Sequence, residues 1–220
     1  MDQKDILQHI TDSGIVGLGG ATFPSHVKLD LKNDNKVDCL IINGVECEPY
    51  LTADHRLMLE KAEEIIVGIQ ILMHDLHINK AVIGIENNKK DAIAVLKEAT
   101  RDDKRIKVAA LKVKYPQGSE KQLIKAIVNR EVPKGGLPMD VGVIVHNVGT
   151  IFAIYQAVQY DIPLMERVVT VTGKKLDTPS NFWVKIGTPI KDLVEEAGGI
   201  PEGTRKIVNG GPMMGKAIKN

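Results

Sequence analysis

Compact apolar runs alternate with amphipathic stretches along most of this chain, and that alternation limits its fold more than any other feature. Residues 37–43, 81–86, 106–113 and 141–146 are short and apolar, as strands buried on both faces of a sheet must be. Between them lie helical patterns. Residues 52–75 carry Leu57, Ala62, Ile65, Ile66, Ile69, Leu72 and Met73 at helical spacing, and 89–100, 120–129 and 148–159 repeat the theme. A short amphipathic helix over 2–12, with Ile6, Leu7 and Ile10 on one face, stops at Gly14. Parallel strands need crossover helices, so the expectation is an α/β fold: a three-layer, Rossmann-like domain with a mainly parallel sheet.

The pattern changes after Pro163. Residues 166–173 alternate like a half-exposed strand, and 181–186 can pair with them through the turn around Asp177 to Ser180. Thr188-Pro189 predicts a helix start with Thr188 as N-cap, and Gly198-Gly199 stops that helix after about Ala197. A further strand is expected over 205–208. Strand, strand, helix, strand suggests a small β-grasp-like domain over 164–220, following an α/β domain over 1–163.

Composition excludes several functions. Hydrophobic residues make up 43% and charged ones 26%, enough apolar material for a real core. Lys and Arg number 29 against 28 Asp and Glu, so no broad basic surface for nucleic acid is expected. The longest apolar stretch, 65–73, is broken by Gly68 and Gln70 and falls short of the ~20 residues that span a bilayer. No apolar segment follows Met1, so a cytoplasmic chain is expected. Cys39 and Cys47 cannot supply four thiolates to an iron–sulfur centre, and the histidines form no metal-binding spacing. Both cysteines are expected to be small, largely buried side chains.

Four segments could carry chemistry. Gly17, Gly19 and Gly20 open a glycine-rich turn that runs through Phe23, Ser25 and Lys28, and such a turn can present amides and a cation to a phosphate. It is neither a dinucleotide fingerprint nor a Walker loop, and composition leaves a phosphate cradle and a plain flexible loop both open. Asn43, Glu46 and Glu48 lie just past the first strand, where an α/β sheet binds ligands, and these residues alone fit a plain solvated loop as well. Gly118 and Glu120 follow the third strand; His146, Asn147 and Thr150 follow the fourth. All four segments could open onto one edge of the sheet.

These residues also resemble a known family. The segments 17–29 (GLGGATFPSHVKL) and 42–56 (INGVECEPYLTADHR) look like RnfC, the NADH-oxidising peripheral subunit of the Rnf ferredoxin–NAD oxidoreductase. The segments 114–123, 132–136, 147–150, 167–173 and 210–215 (GGPMMG) extend the match in order. RnfC is in turn similar to the flavin subunit of respiratory NADH dehydrogenase.

The resemblance implies a non-covalent FMN held by Gly17, Gly19, Gly20, Lys28, Asn43, Glu46, Gly118, Asn147 and Thr150, with Phe23, Glu48 and Glu120 toward NADH. FMN is expected instead of FAD, because the family's loop ends at one phosphate near the lysine. No side chain is expected to act as nucleophile or proton donor. Leu18, Thr22, Val45 and Ser119 depart from the NADH dehydrogenase pattern, and Val45 cannot make the hydrogen bonds of the aspartate it replaces.

The resemblance further implies hydride transfer between NADH and FMN, with single electrons passed to iron–sulfur centres. It implies other Rnf subunits as partners, ferredoxin as an indirect one, and a place on the cytoplasmic face of the membrane. Family members usually carry ligands for two [4Fe–4S] clusters, which this chain does not, so it reads as an excised piece or a shortened paralogue. A reductase serving a corrinoid or amino-acid reductase, and a non-catalytic scaffold, are the alternative readings.

Overall fold

The computed structural model describes residues 3–31 and 36–218, with side chains from residue 5 onward in the first helix. Asp2, the expected start of that helix, and the terminal Lys219 and Asn220 lie outside the described residues.

Four parallel strands, β1 (Cys39–Gly44), β2 (Ala81–Glu86), β3 (Ile106–Leu111) and β4 (Val143–Asn147), form one sheet in the order β3-β2-β1-β4. Nearly every residue of β1, β2 and β4 is buried, which is why their sequences are apolar without alternation. Register is set directly: Ile42 lies opposite Ile83 on one side and His146 on the other, and Asn43 lies opposite Asn147.

Helices cover both faces. On one lie α1 (Gln3–Asp12), α3 (Ala53–Glu60), α4 (Ala62–Asp75), α5 (Lys90–Ala99) and α7 (Val148–Tyr160), packed through Ile10, Ile65, Ile69, Leu72, Leu96 and Ile151 onto Leu40, Ile42, Ile83 and Ile144. On the other, α6 (Glu120–Val128) sets Leu123 and Ile124 against Ile41, Val82 and Val145. The chain steps from β1 to β3 through helices on the first face and returns to β4 through α6 on the second. Opposite faces for opposite directions keep all crossovers the same hand.

Residues 52–75 were expected as one helix and form two. Lys61 leaves the helical region at φ −131°, ψ 33°, although its amide still donates to Leu57. The break lets α3 reach β5 (Glu166–Val171) while α4 stays along α7. Neither proline nor glycine marks it; tertiary packing sets it. The short α2 (Ser25–Leu29) and a 3₁₀ turn at Pro138–Val141 had no sequence expectation.

Beyond Pro163, β5 pairs antiparallel with β6 (Ser180–Lys185), α8 spans Ile190–Glu196, and β7 (Ile207–Asn209) pairs with β8 (Lys216–Ile218). Thr188 does not cap α8. Pro189 takes the cap position in extended geometry with no side-chain bond, while the Thr188 amide closes a turn onto Lys185. β8 was not expected from the sequence: three exposed residues carry no periodic pattern. The whole is a mixed α/β fold whose second unit has, among the described residues, two small antiparallel sheets and one helix.

Candidate functional site

The loops that leave the carboxyl ends of β1, β3 and β4 meet the glycine turn at one edge of the sheet. β1 and β4 are the neighbours at which strand order reverses, the place where open α/β sheets bind ligands.

The glycine turn is pinned from inside. The Leu18 amide donates to Thr150 Oγ1 at 2.9 Å, and Thr150, in the first turn of α7, is fully buried. The Gly17 amide donates to the Phe23 carbonyl at 2.8 Å, closing the turn on itself. Gly20 sits at φ +119°, which side chains rarely adopt, and a Cβ on Gly19 would press on Asn147 at 3.3 Å. Gly19, Gly20 and Ala21 are exposed, and their amides have no hydrogen-bond partner among the described residues. Phe23 is half exposed beside them.

Lys28, on α2, reaches across to α6 and pairs with Glu120 at 2.5 Å. Glu120 was expected toward NADH; here its carboxylate meets the site's cation. Asn43 donates to the Gly118 carbonyl at 2.9 Å and accepts from Val45, tying the β1 loop to the β3 loop. The Gly118 amide in turn points at Cys47 Sγ at 3.3 Å, so half-buried Cys47 packs inside this junction while Cys39 is fully buried in β1. Asn147 accepts from Gly149 as the N-cap of α7 and donates to Asp54 at 2.7 Å. Thr150, Asn43 and Asn147 thus tie the glycine turn, the loop after β3 and the start of α3 together at this edge.

Glu46 occupies the left-handed region at φ +46°, unusual for a residue with a side chain. Its carboxylate accepts the amides of Asp54 and His55 at 2.8 and 3.1 Å, satisfying the start of α3. Buried Lys89 holds the loop from behind: Nζ donates to the carbonyls of Val45 and Glu46 and lies 3.9 and 3.8 Å from the Glu46 and Glu86 carboxylates. Burial, with Asp54 adding repulsion, pushes the Glu46 carboxyl up to about 7. Burial likewise raises Asp54, opposed by the Asn147 hydrogen bond and the charges of Arg167 and Lys89.

Glu48 was expected toward NADH. Both of its oxygens are taken by the second domain, accepting from the Met213 and Met214 amides at 3.0 and 2.7 Å. Sequence reasoning also missed Lys89. The loop after β2 has neither glycine nor acidic pair, so only its position past a buried strand could have flagged it. His146 and Ser25 are buried with His146 Nε2 and Ser25 Oγ unpartnered, and burial, helped by the Lys28 charge, drives the imidazole down to about 3, so it is neutral.

Residues 10–156 match the model of the Nuo51 FMN-binding domain. The chain belongs to that family. Residues 168–217 match the SLBB domain, so the second unit of this Nuo51-type chain is a β-grasp-like SLBB domain. Over 217 residues the chain is 52% identical to the C subunit of the proton-translocating ferredoxin:NAD(+) oxidoreductase complex of Clostridium ljungdahlii, covering 99% of this chain and 47% of that one. Over 215 residues it is 48% identical to the Na(+)-translocating counterpart of Acetobacterium woodii, covering 98% and 48%. The chain spans about half the length of these relatives. Its fold is shared with an NAD+-reducing [NiFe]-hydrogenase in the H2-reduced state, at TM-score 0.81 and 24% identity over 94% of this chain and 41% of that one.

The residues present fit the FMN that the family implies. An open glycine turn with unused amides, followed on α2 by a lysine whose partner among the described residues is an exchangeable carboxylate, suits a phosphate monoester.

Proposed function

We propose that this chain is the electron-input module of an Rnf-type complex, taking hydride from NADH onto non-covalent FMN, or the reverse. The unused amides of Gly19 to Ala21, with Lys28 on the helix that follows the turn, carry the reading, supported by similarity over the whole chain to the C subunits of two ferredoxin:NAD(+) oxidoreductases. FMN, when bound, converts a two-electron hydride donor into a source of single electrons, which iron–sulfur centres need. Cys39 and Cys47 provide no cluster ligands, so those centres sit elsewhere in the assembly.

The protein's own work is binding and orientation. Residues 1–163 form the flavin and dinucleotide domain, and 164–220 the β-grasp-like one. Gly17, Gly19, Gly20 and Lys28 would hold the phosphate, for which Lys28 would exchange its Glu120 partner. Asn43, Glu46, Gly118, Asn147 and Thr150 would hold the flavin. Phe23, exposed at the turn, offers an apolar face to the nicotinamide, and Glu48 and Glu120 border its approach. No described helix is long and apolar enough to cross a membrane. In this reading the chain sits on the cytoplasmic face of the membrane through partner subunits. NADH and, indirectly, ferredoxin are the redox partners.

The test is an anaerobic FMN titration followed by NADH. One FMN is expected to bind and then to bleach on NADH addition. Lys28→Ala should weaken FMN by roughly 1–3 kcal/mol, the scale of a charge-assisted hydrogen bond. Unchanged affinity removes Lys28 from the site, and no binding by the wild type overturns the reading.

A further inference from the structure

Glu48 and the Gly210–Gly215 turn fit each other more closely than two passing surface groups. The turn closes through the Gly215 amide, which donates to the Gly211 carbonyl at 2.7 Å. That five-residue closure leaves the amides of Met213 and Met214 with no partner inside the turn, as at the start of a helix. Both point at a single carboxylate, one oxygen each, at 3.0 and 2.7 Å. The side chain also fills the space above Gly211: a Cβ there would lie 2.4 Å from the Glu48 carboxyl carbon. Only glycine admits the carboxylate.

The two partners are 165 and 166 residues apart and belong to different domains. Glu48 stands in the loop that Asn43 and Cys47 tie to Gly118, so its own position is fixed by the first domain. The second domain, by contrast, has little core of its own to fix the turn.

We propose that Glu48 is an interdomain latch: a positioning residue that seats the Gly210–Gly215 turn of the second domain on the loop after β1, with Gly211 kept small to receive it. The seated turn leaves Met213 and Met214 exposed. The latch is a property of the chain without flavin, so its success or failure is separate from that of the FMN reading.

Amide hydrogen exchange on the full 220-residue chain tests it, alone and in a mutant cycle. Glu48→Ala should speed exchange at Met213 and Met214 roughly 10- to 100-fold, the scale of losing charge-assisted bonds, while β1–β4 stay protected. Glu48→Gln keeps one acceptor and presents an NH2 to the second amide, so it should restore little. Glu48→Asp keeps both acceptors on a shorter arm and should restore part of the protection. Gly211→Ala blocks the seat from the other side, its backbone being in a region any residue adopts, and should speed exchange at the same two amides. In the Glu48→Ala/Gly211→Ala double variant the added Cβ finds room, so exchange should be no faster than in either single variant. Unchanged exchange at Met213 and Met214 in Glu48→Ala overturns the latch. So does strict additivity in the cycle, which means the two residues act apart. If Glu48→Ala does not fold, Gly211→Ala alone decides by the same readout.

Discussion

The two halves of this molecule hold their shape by different means. Residues up to 163 bury a continuous core on both faces of a parallel sheet, with Ile41, Ile42, Ile69, Ile83 and Ile144 almost wholly withdrawn from water. Among the described residues beyond 163, only Val184 and Ala197 are buried apolar side chains. The second domain therefore leans on the first. Trp183 packs on Phe152 at 5.7 Å, and the Thr52 amide donates to Thr170 Oγ1, which meets Asn181 at 2.6 Å. Arg167 donates to the Leu18 carbonyl of the glycine turn, and Glu48 grips the far end. Apolar area stabilises the first half, and directed contacts place the second.

The comparison can be broken most easily at Lys89. Lys89→Met leaves the buried Glu46 and Glu86 carboxylates without a cation and two carbonyls without a donor. A loss of about 3–5 kcal/mol in denaturant unfolding is expected; a loss near zero would mean the loop holds itself. Next in size, Ile83→Ala in the central sheet should cost about 2–5 kcal/mol, against about 1–2 for Val184→Ala. Equal costs would mean that the second domain has a core of the first kind.

A third test uses pH. The Glu46 carboxyl is raised to about 7 in the folded chain from 4.5. The folded state thus holds that proton more tightly, and the associated stability is full below about 4.5 and lost as pH rises through 7. Asp75, raised by burial to about 6, adds a fall of the same sign. Glu46→Gln should flatten the part between 4.5 and 7 and leave the Asp75 part. An unchanged profile in denaturant melts at stepped pH would place the titration elsewhere.

The smallest effect belongs to the junction. Thr170→Val removes one acceptor for the Thr52 amide and should cost about 0.5–1.5 kcal/mol. It should appear as faster exchange in β5 and β6 with the first-domain melt nearly unmoved. A drop in the first-domain melt as large as that of Ile83→Ala would show that the halves unfold as one.

The sequence by itself determined the sheet. Strands buried on both faces must be apolar throughout and crossover helices must be amphipathic, so β2 can be read at residues 81–86 and α7 starts at Val148 as its apolar pattern predicts. It also put Asn43, Gly118, Asn147 and Thr150 at one edge, because loops after parallel strands share an end. Tertiary structure decided the rest. The break at Lys61, the pairing of Lys28 with Glu120, the burial of Lys89 behind Glu46 and the capture of Glu48 by Met213 and Met214 involve groups brought together across the chain. A carboxylate in a loop reads the same whether water, a ligand or two distant amides take its oxygens. Periodicity reports which face a residue buries, while the partner of a polar group depends on which loops the fold sets side by side.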